Sequence, residues 1–150
     1  MSLGAIRPDN WDLPLLVHVL GAMVLVGALA TVLVSLALAR RGDTAALTRL
    51  GFRTLLVAAI PGYILMRAGA QWIYDKESPP DVTWTGIGFS VSDGGLVLLL
   101  VATLLAGLAA RRFGRGAREP GTLETVAAVL IGVMLIGYGV AIWAMTTKPS

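Results

Sequence analysis

The sequence predicts an all-α integral membrane protein, an antiparallel four-helix bundle with its N-terminus and C-terminus on the outer side. Three observations carry this. Of the 150 residues, 56% are hydrophobic and 14% charged, with a mean hydropathy of +0.78, far too apolar for a soluble domain of this size. Four apolar stretches meet the roughly 20 residues that a helix rising about 1.5 Å per residue needs to cross a hydrocarbon core of about 30 Å. The basic residues gather in two connections between those stretches. The net charge of +3 therefore belongs to loops flanking spans, not to a nucleic-acid-binding patch. The implied partner is the lipid bilayer, with no nucleic acid. With no cysteine in the chain, disulfides, thiolate metal sites, iron–sulfur clusters and cysteine nucleophiles are excluded.

The first helix is expected over about 11–39. Its uncharged run from Leu13 to Ala39 far exceeds the roughly 7 to 15 residues of a secretion-signal core, so it reads as a retained span. The second runs over about 52–74, the third over 91–110 and the fourth over 122–145. Pro61 should disturb the second by releasing the carbonyl of Val57. On the fourth, Gly132, Gly137 and Gly139 offer close approach to another backbone.

Orientation follows from arginine. Arg40, Arg41, Arg49 and Arg53 lie in or beside the first connection, and Arg111, Arg112, Arg115 and Arg118 in or beside the third, which together make eight of the twelve basic residues. Connections 40–51 and 111–121 are thus expected on the cytoplasmic side of the inner membrane. Trp11, Trp72, Tyr74, Trp84 and Trp143 then fall near the outer boundary as an aromatic belt.

In the first connection, Asp43 or Thr44 is placed to cap a brief interfacial helix. In the third, glycine in "RRFGRGAREPG" ends a helix and the next starts after Pro120. The two connections echo each other weakly, as in a duplicated hairpin. The second connection, over 75–90, is long, with a Pro-Pro turn and alternating Val82, Trp84, Ile87, Phe89 and Val91. It reads either as a lid or small hairpin over the outer end or as a solvated connector.

Chemistry must come from polar groups at membrane depth, which are costly there and need partners. "LPLLVHVLGAM" holds the only histidine, His18. His18, Arg67 and Tyr138 each lie about 10 Å below the outer boundary at about 1.5 Å per residue, and Asp93 lies just above them. Tyr63, Arg67 and Gln71 stand at i, i+4 and i+8, a single polar stripe. These six residues form the expected pocket.

Each has a structural and a functional reading. His18 is either a neutral imidazole bonded to Tyr138, Gln71 or a backbone carbonyl, contributing about 1 kcal/mol of interhelical adhesion, or an axial haem ligand or proton carrier. One histidine cannot fill both axial positions, so haem would be five-coordinate, would take Met66 or Met134 as second ligand, or would be shared across a dimer. A structural zinc site wants four ligands and is not supported. Arg67 either pairs with Asp93, Asp75 or a lipid phosphate, or serves as counter-charge to an anionic ligand such as a porphyrin propionate. Asp93, in "SVSDGG" before an apolar run, sits where a helix N-cap is ordinarily found. Phosphate loops and catalytic triads have no support in the chain.

"LLVHVLGAMVLVG", with a histidine followed nine residues later by a glycine, resembles the first helix of a family of small integral membrane proteins of unknown function related to copper-resistance D-type membrane domains. In that family an aromatic usually occupies the place of Leu25. "IPGYILMRAG", with Pro61, Gly62 and Gly69, is similar to that family's second helix. The chain also resembles the four-helix membrane protoporphyrinogen oxidases in length and in a first-helix histidine thought to bind haem. That family relies on a lysine deeper in the chain, whereas Lys76 and Lys148 here lie at the outer edge, so the resemblance carries over His18 alone.

The expected role is a ligand-binding membrane protein, with haem b the leading candidate, acting alone, as a homo-oligomer or as an accessory subunit of a membrane complex. Three other readings stay open: a haem-dependent oxidoreductase, a small ion or solute transporter or channel, and a purely structural subunit.

Overall fold

The computed structural model describes residues 12–42, 44–77 and 83–147. All regular structure within them is helical: α1 (Asp12–Leu38), α2 (Thr44–Thr54), a π turn (Leu55–Ala59), α3 (Ile60–Glu77), α4 (Thr83–Gly114) and α5 (Thr122–Thr147). Four continuous helical runs are long and apolar enough to cross a membrane: Asp12–Leu38, Thr44–Lys76, Gly86–Gly114 and Thr122–Ala144. The chain is a multi-pass membrane protein by that measure. Its surface agrees, because large aliphatic side chains such as Val57 (77% exposed) and Ile136 (70%) point outward, as a lipid-facing surface requires.

Local chemistry sets the helix ends. Asp12 places a negative charge in the first turn of α1, where the helix dipole favours it. Thr44 donates from Oγ1 to the carbonyls of Ala39 (2.8 Å) and Gly42 (3.1 Å), tying α2 back to the end of α1. It does not act as the expected N-cap acceptor, and Asp43 lies outside the described residues. α4 ends in a Schellman motif around Gly116, whose φ of 98° suits glycine. There the Ala117 amide bonds the Arg112 carbonyl and the Gly116 amide bonds the Phe113 carbonyl. At the start of α5, the fully buried Glu124 accepts the Gly121 amide at 2.8 Å, half of a capping box.

Two expectations about the connections change. The brief helix expected in the first connection is present as α2, but it runs without a break into the second span, while the third connection has no helix between α4 and α5, so the two basic segments are not equivalent structures. The second connection is mostly helix. α3 continues to Glu77 and α4 begins at Thr83, so helical backbone covers much of the stretch expected to be a lid, hairpin or solvated connector. The period-two pattern misled because Phe89 packs edge-on against Tyr74, with ring centres 5.4 Å apart, and lies one helical turn before Asp93, both residues meeting Arg67 on α3. Val82 and the Pro-Pro pair lie outside the described residues.

The disturbance expected at Pro61 takes the form of a π turn, in which the Ile60 amide reaches back to the Leu55 carbonyl. Proline has no N–H to give and its ring crowds the carbonyl four residues earlier, and a wider turn accommodates both.

The helices pack chiefly as two pairs, α1 with α3 and α4 with α5, joined through α1 and α5 and braced by α2 against α1 and α4. Leu25, Leu29, Val32 and Leu36 of α1 meet Tyr63 and Met66 of α3, Leu99 and Ala102 of α4, and Ile131, Met134 and Tyr138 of α5 in one core. α3 and α4 barely approach each other by backbone.

The α1/α3 contact is made backbone to backbone. A Cβ on Gly21 would overlap the Met66 nitrogen and come within 2.8 Å of the Gly62 oxygen; one on Gly62 would lie 2.9 Å from the Leu25 nitrogen; one on Gly69 would lie 2.7 Å from the His18 Cα. Small residues permit this in apolar surroundings, where dispersion and weak polar contacts replace the hydrophobic drive. α5, the fourth span, does not use its glycines so: Gly132 and Gly139 have no heavy atom within 4 Å of a built Cβ, and Gly137 meets only the Val91 side chain.

Candidate functional site

His18 is half-buried on α1 directly over the glycine seam. Its Nδ1 lies 2.8 Å from the Met66 carbonyl oxygen. A carbonyl only accepts, so Nδ1 carries the proton and donates. In the neutral ring Nε2 is then a bare lone pair, the tautomer that a metal-binding histidine needs and that a backbone carbonyl commonly fixes from the far side. Of the partners expected for His18, the structure selects a backbone carbonyl, neither Tyr138 nor Gln71.

Arg67 follows Met66 by one residue and so points to another face of α3, towards α4. Its Nε lies 3.4 Å from Asp93 Oδ1, its Nη1 donates to Gln71 Oε1 at 3.1 Å, and its guanidinium carbon stands 4.8 Å above the centre of the Phe89 ring. Gln71 Nε2 in turn donates to Asp75 Oδ1 at 2.8 Å. Stacking on an aromatic face while pairing with a carboxylate is what a planar guanidinium does better than an ammonium. This chain of contacts bridges the C-terminal half of α3 and the N-terminal part of α4, where their backbones stand apart. Asp93 lies well inside α4, so it caps no helix; its role is the pair with Arg67.

The remaining expected residues are core. Tyr63, Met66, Met134 and Tyr138 are buried together in the central cluster. Met66 meets His18 through its backbone carbonyl, and the Tyr138 hydroxyl has no hydrogen-bond partner among the described residues. The expected single pocket thus resolves into three parts: an imidazole on the α1/α3 seam, a guanidinium network across α3 and α4, and a phenol within the core. Phe89, Ser92 and Gly95 belong to these parts and were missed from sequence. The signal for Phe89 was its i, i+4 relation to Asp93, visible only once 83–90 is taken as helix.

No protein-family model, curated protein or solved structure matches the chain.

Proposed function

We propose that the chain is an antiparallel four-helix bundle of the inner membrane that binds a ligand through His18 Nε2, with haem b as that ligand. Both termini lie outside and connections 40–51 and 111–121 lie in the cytoplasm. The antiparallel reading is supported by the α1/α3 register, in which His18 meets Gly69 while Leu25 meets Gly62. The sidedness rests on the arginine distribution. The observation that carries the ligand reading is the 2.8 Å Nδ1–H bond to the Met66 carbonyl, which orients the ring and leaves one nitrogen lone pair at membrane depth.

The fit of a porphyrin is restricted. The touching backbones at Gly21, Gly62 and Gly69 leave no gap between α1 and α3, so a haem would take His18 from its half-exposed side. The Met66 and Met134 side chains are enclosed in the core, so His18 is the residue of this chain that would hold the iron, alone or together with a second copy of the chain. When bound, haem supplies redox or gas-binding chemistry. What this chain contributes is a fixed imidazole; Arg67 is directed to another face of α3 and is engaged by Asp93, Gln71 and Phe89. Assembly as a homo-oligomer or as an accessory subunit belongs to the same reading, as does kinship with the copper-resistance D-type and protoporphyrinogen oxidase families.

Detergent-purified protein, as isolated or after loading with haem b, should show a Soret band. His18→Ala should lose it while keeping its helical circular dichroism, and added imidazole should restore it. No band in the wild type after loading, or a band indifferent to His18→Ala, overturns the proposal. A purely structural subunit is the second reading, favoured by the engagement of Arg67 with Asp93, Gln71 and Phe89. It gives lowered thermal stability in both His18→Ala and Arg67→Ala with no ligand signal to lose.

A further inference from the structure

Several hydroxyl-bearing residues of the spans share a habit, which buried Thr48 and Ser92 do not follow. Thr31 donates to the Gly27 carbonyl, Ser35 to the Thr31 carbonyl and Thr103 to the Leu99 carbonyl, each four residues back on its own helix. This is the usual way to satisfy a hydroxyl in an apolar helix. Ser92 departs from it. Its side chain is 7% exposed, the carbonyl of Gly88 is available four residues back, and its Oγ has no hydrogen-bond partner among the described residues.

Tyr138 on the adjacent helix is in the same condition, 5% exposed with an unpartnered hydroxyl. Gly95 places the two together. A Cβ at position 95 would sit 2.6 Å from Tyr138 Oη, so the phenol end occupies the notch the glycine leaves in α4. Ser92 lies one turn earlier on the same buried side of α4, and side chains so related have Cβ atoms about 5–6 Å apart. With the phenol end in that notch and Ser92 one turn away, one oxygen at about 2.8 Å from each hydroxyl can bridge them. Phenylalanine and alanine would fill the two positions without burying a hydroxyl, and buried polar groups without partners are strongly disfavoured.

We propose that α4 and α5 enclose an internal hydration site in which one water molecule bridges Ser92 Oγ and Tyr138 Oη. A buried water needs two to four polar partners; the two hydroxyls supply two, and helix carbonyls with a second lone pair supply more. The site stands apart from the His18 ligand reading and survives its failure.

Two measurements test it together. Tyr138→Phe and Ser92→Ala should each lower the melting temperature by a few degrees, and the double variant should fall no further than the worse single one, because either substitution already removes the bridge. A single variant that melts higher than wild type, or two losses that add in the double, overturns the site. In proteoliposomes, water-edited NMR should pass magnetisation from water to the Tyr138 ring faster than to Ile136, which faces outward. A Tyr138 signal that builds up no faster than that of Ile136 also overturns it.

Discussion

Gly21→Ala is expected to lower the melting temperature of the detergent-solubilised protein more than any other glycine-to-alanine change on α1. The added Cβ has nowhere to go, since the atoms in its way are the backbone of Met66 and Gly62 on α3. Overpacking a core costs about 1–3 kcal/mol when side chains can shift, and here helices must separate, so the upper end of that range applies to alanine and Gly21→Leu should prevent the helices from docking. Separation would also pull His18 from the Met66 carbonyl, coupling the stability loss to loss of any His18-dependent signal. Gly27 is the internal control. It lies on the same helix with nothing within 4 Å of a built Cβ, and alanine there should be neutral or stabilising by up to about 0.5–1 kcal/mol, the helix-propensity gain. Equal shifts for the two variants would contradict the backbone contact between α1 and α3.

Asp93→Leu is expected to destabilise the protein, and Arg67→Leu added to it should restore most of the loss. Removing only the carboxylate leaves a guanidinium, with Gln71 and the Phe89 ring for company, at a depth where charge is disfavoured. Insertion scales put that at about 2.5 to 3.5 kcal/mol for the centre of a span. Arg67 sits nearer the boundary, and its stem can carry the charge outward. Asp93 is itself 65% exposed, so roughly 1–2 kcal/mol is the expected loss once solvent screening is counted. The double variant has no charge to strand. A guanidine-titration or thermal series on the two single variants and the double one checks this; a double variant less stable than Asp93→Leu would contradict the stranded-charge account.

The spans were legible because membrane insertion acts on averages. Twenty or so apolar residues mark a crossing whatever their neighbours do, and arginine clusters mark the loops. Arg67, Gln71 and Asp93 were legible as polar groups at one depth, and Asp93 was among the partners expected for Arg67. The α1/α3 seam was only half visible. Gly62 and Gly69 stood out on the second span, but that Gly62 meets Gly21 and Gly69 meets His18 depends on a π turn whose extra residue has no mark in the sequence beyond Pro61. The glycines of the fourth span looked equally suited to close packing, yet Gly132 and Gly139 have nothing within 4 Å of a built Cβ and Gly137 meets only the Val91 side chain. The start of α4 was missed for a related reason. Alternating apolar residues after a proline pair read as strand or loop, and only the tertiary contacts of Phe89 with Tyr74 and Arg67 favour the helical choice. Ser92 and Gly95 gave no signal, because a serine and a glycine in an apolar helix acquire meaning only from what lies opposite them.

The central claim is the protonation pattern of one ring, and the chain has a single histidine with which to test it. Protein labelled with nitrogen-15 at histidine and placed in lipid bilayers without added ligand should give one protonated nitrogen, Nδ1, coupled through its hydrogen bond to the Met66 carbonyl carbon, and one unprotonated nitrogen, Nε2. A ring protonated at Nε2 alone, or one with no coupling to Met66, would contradict it.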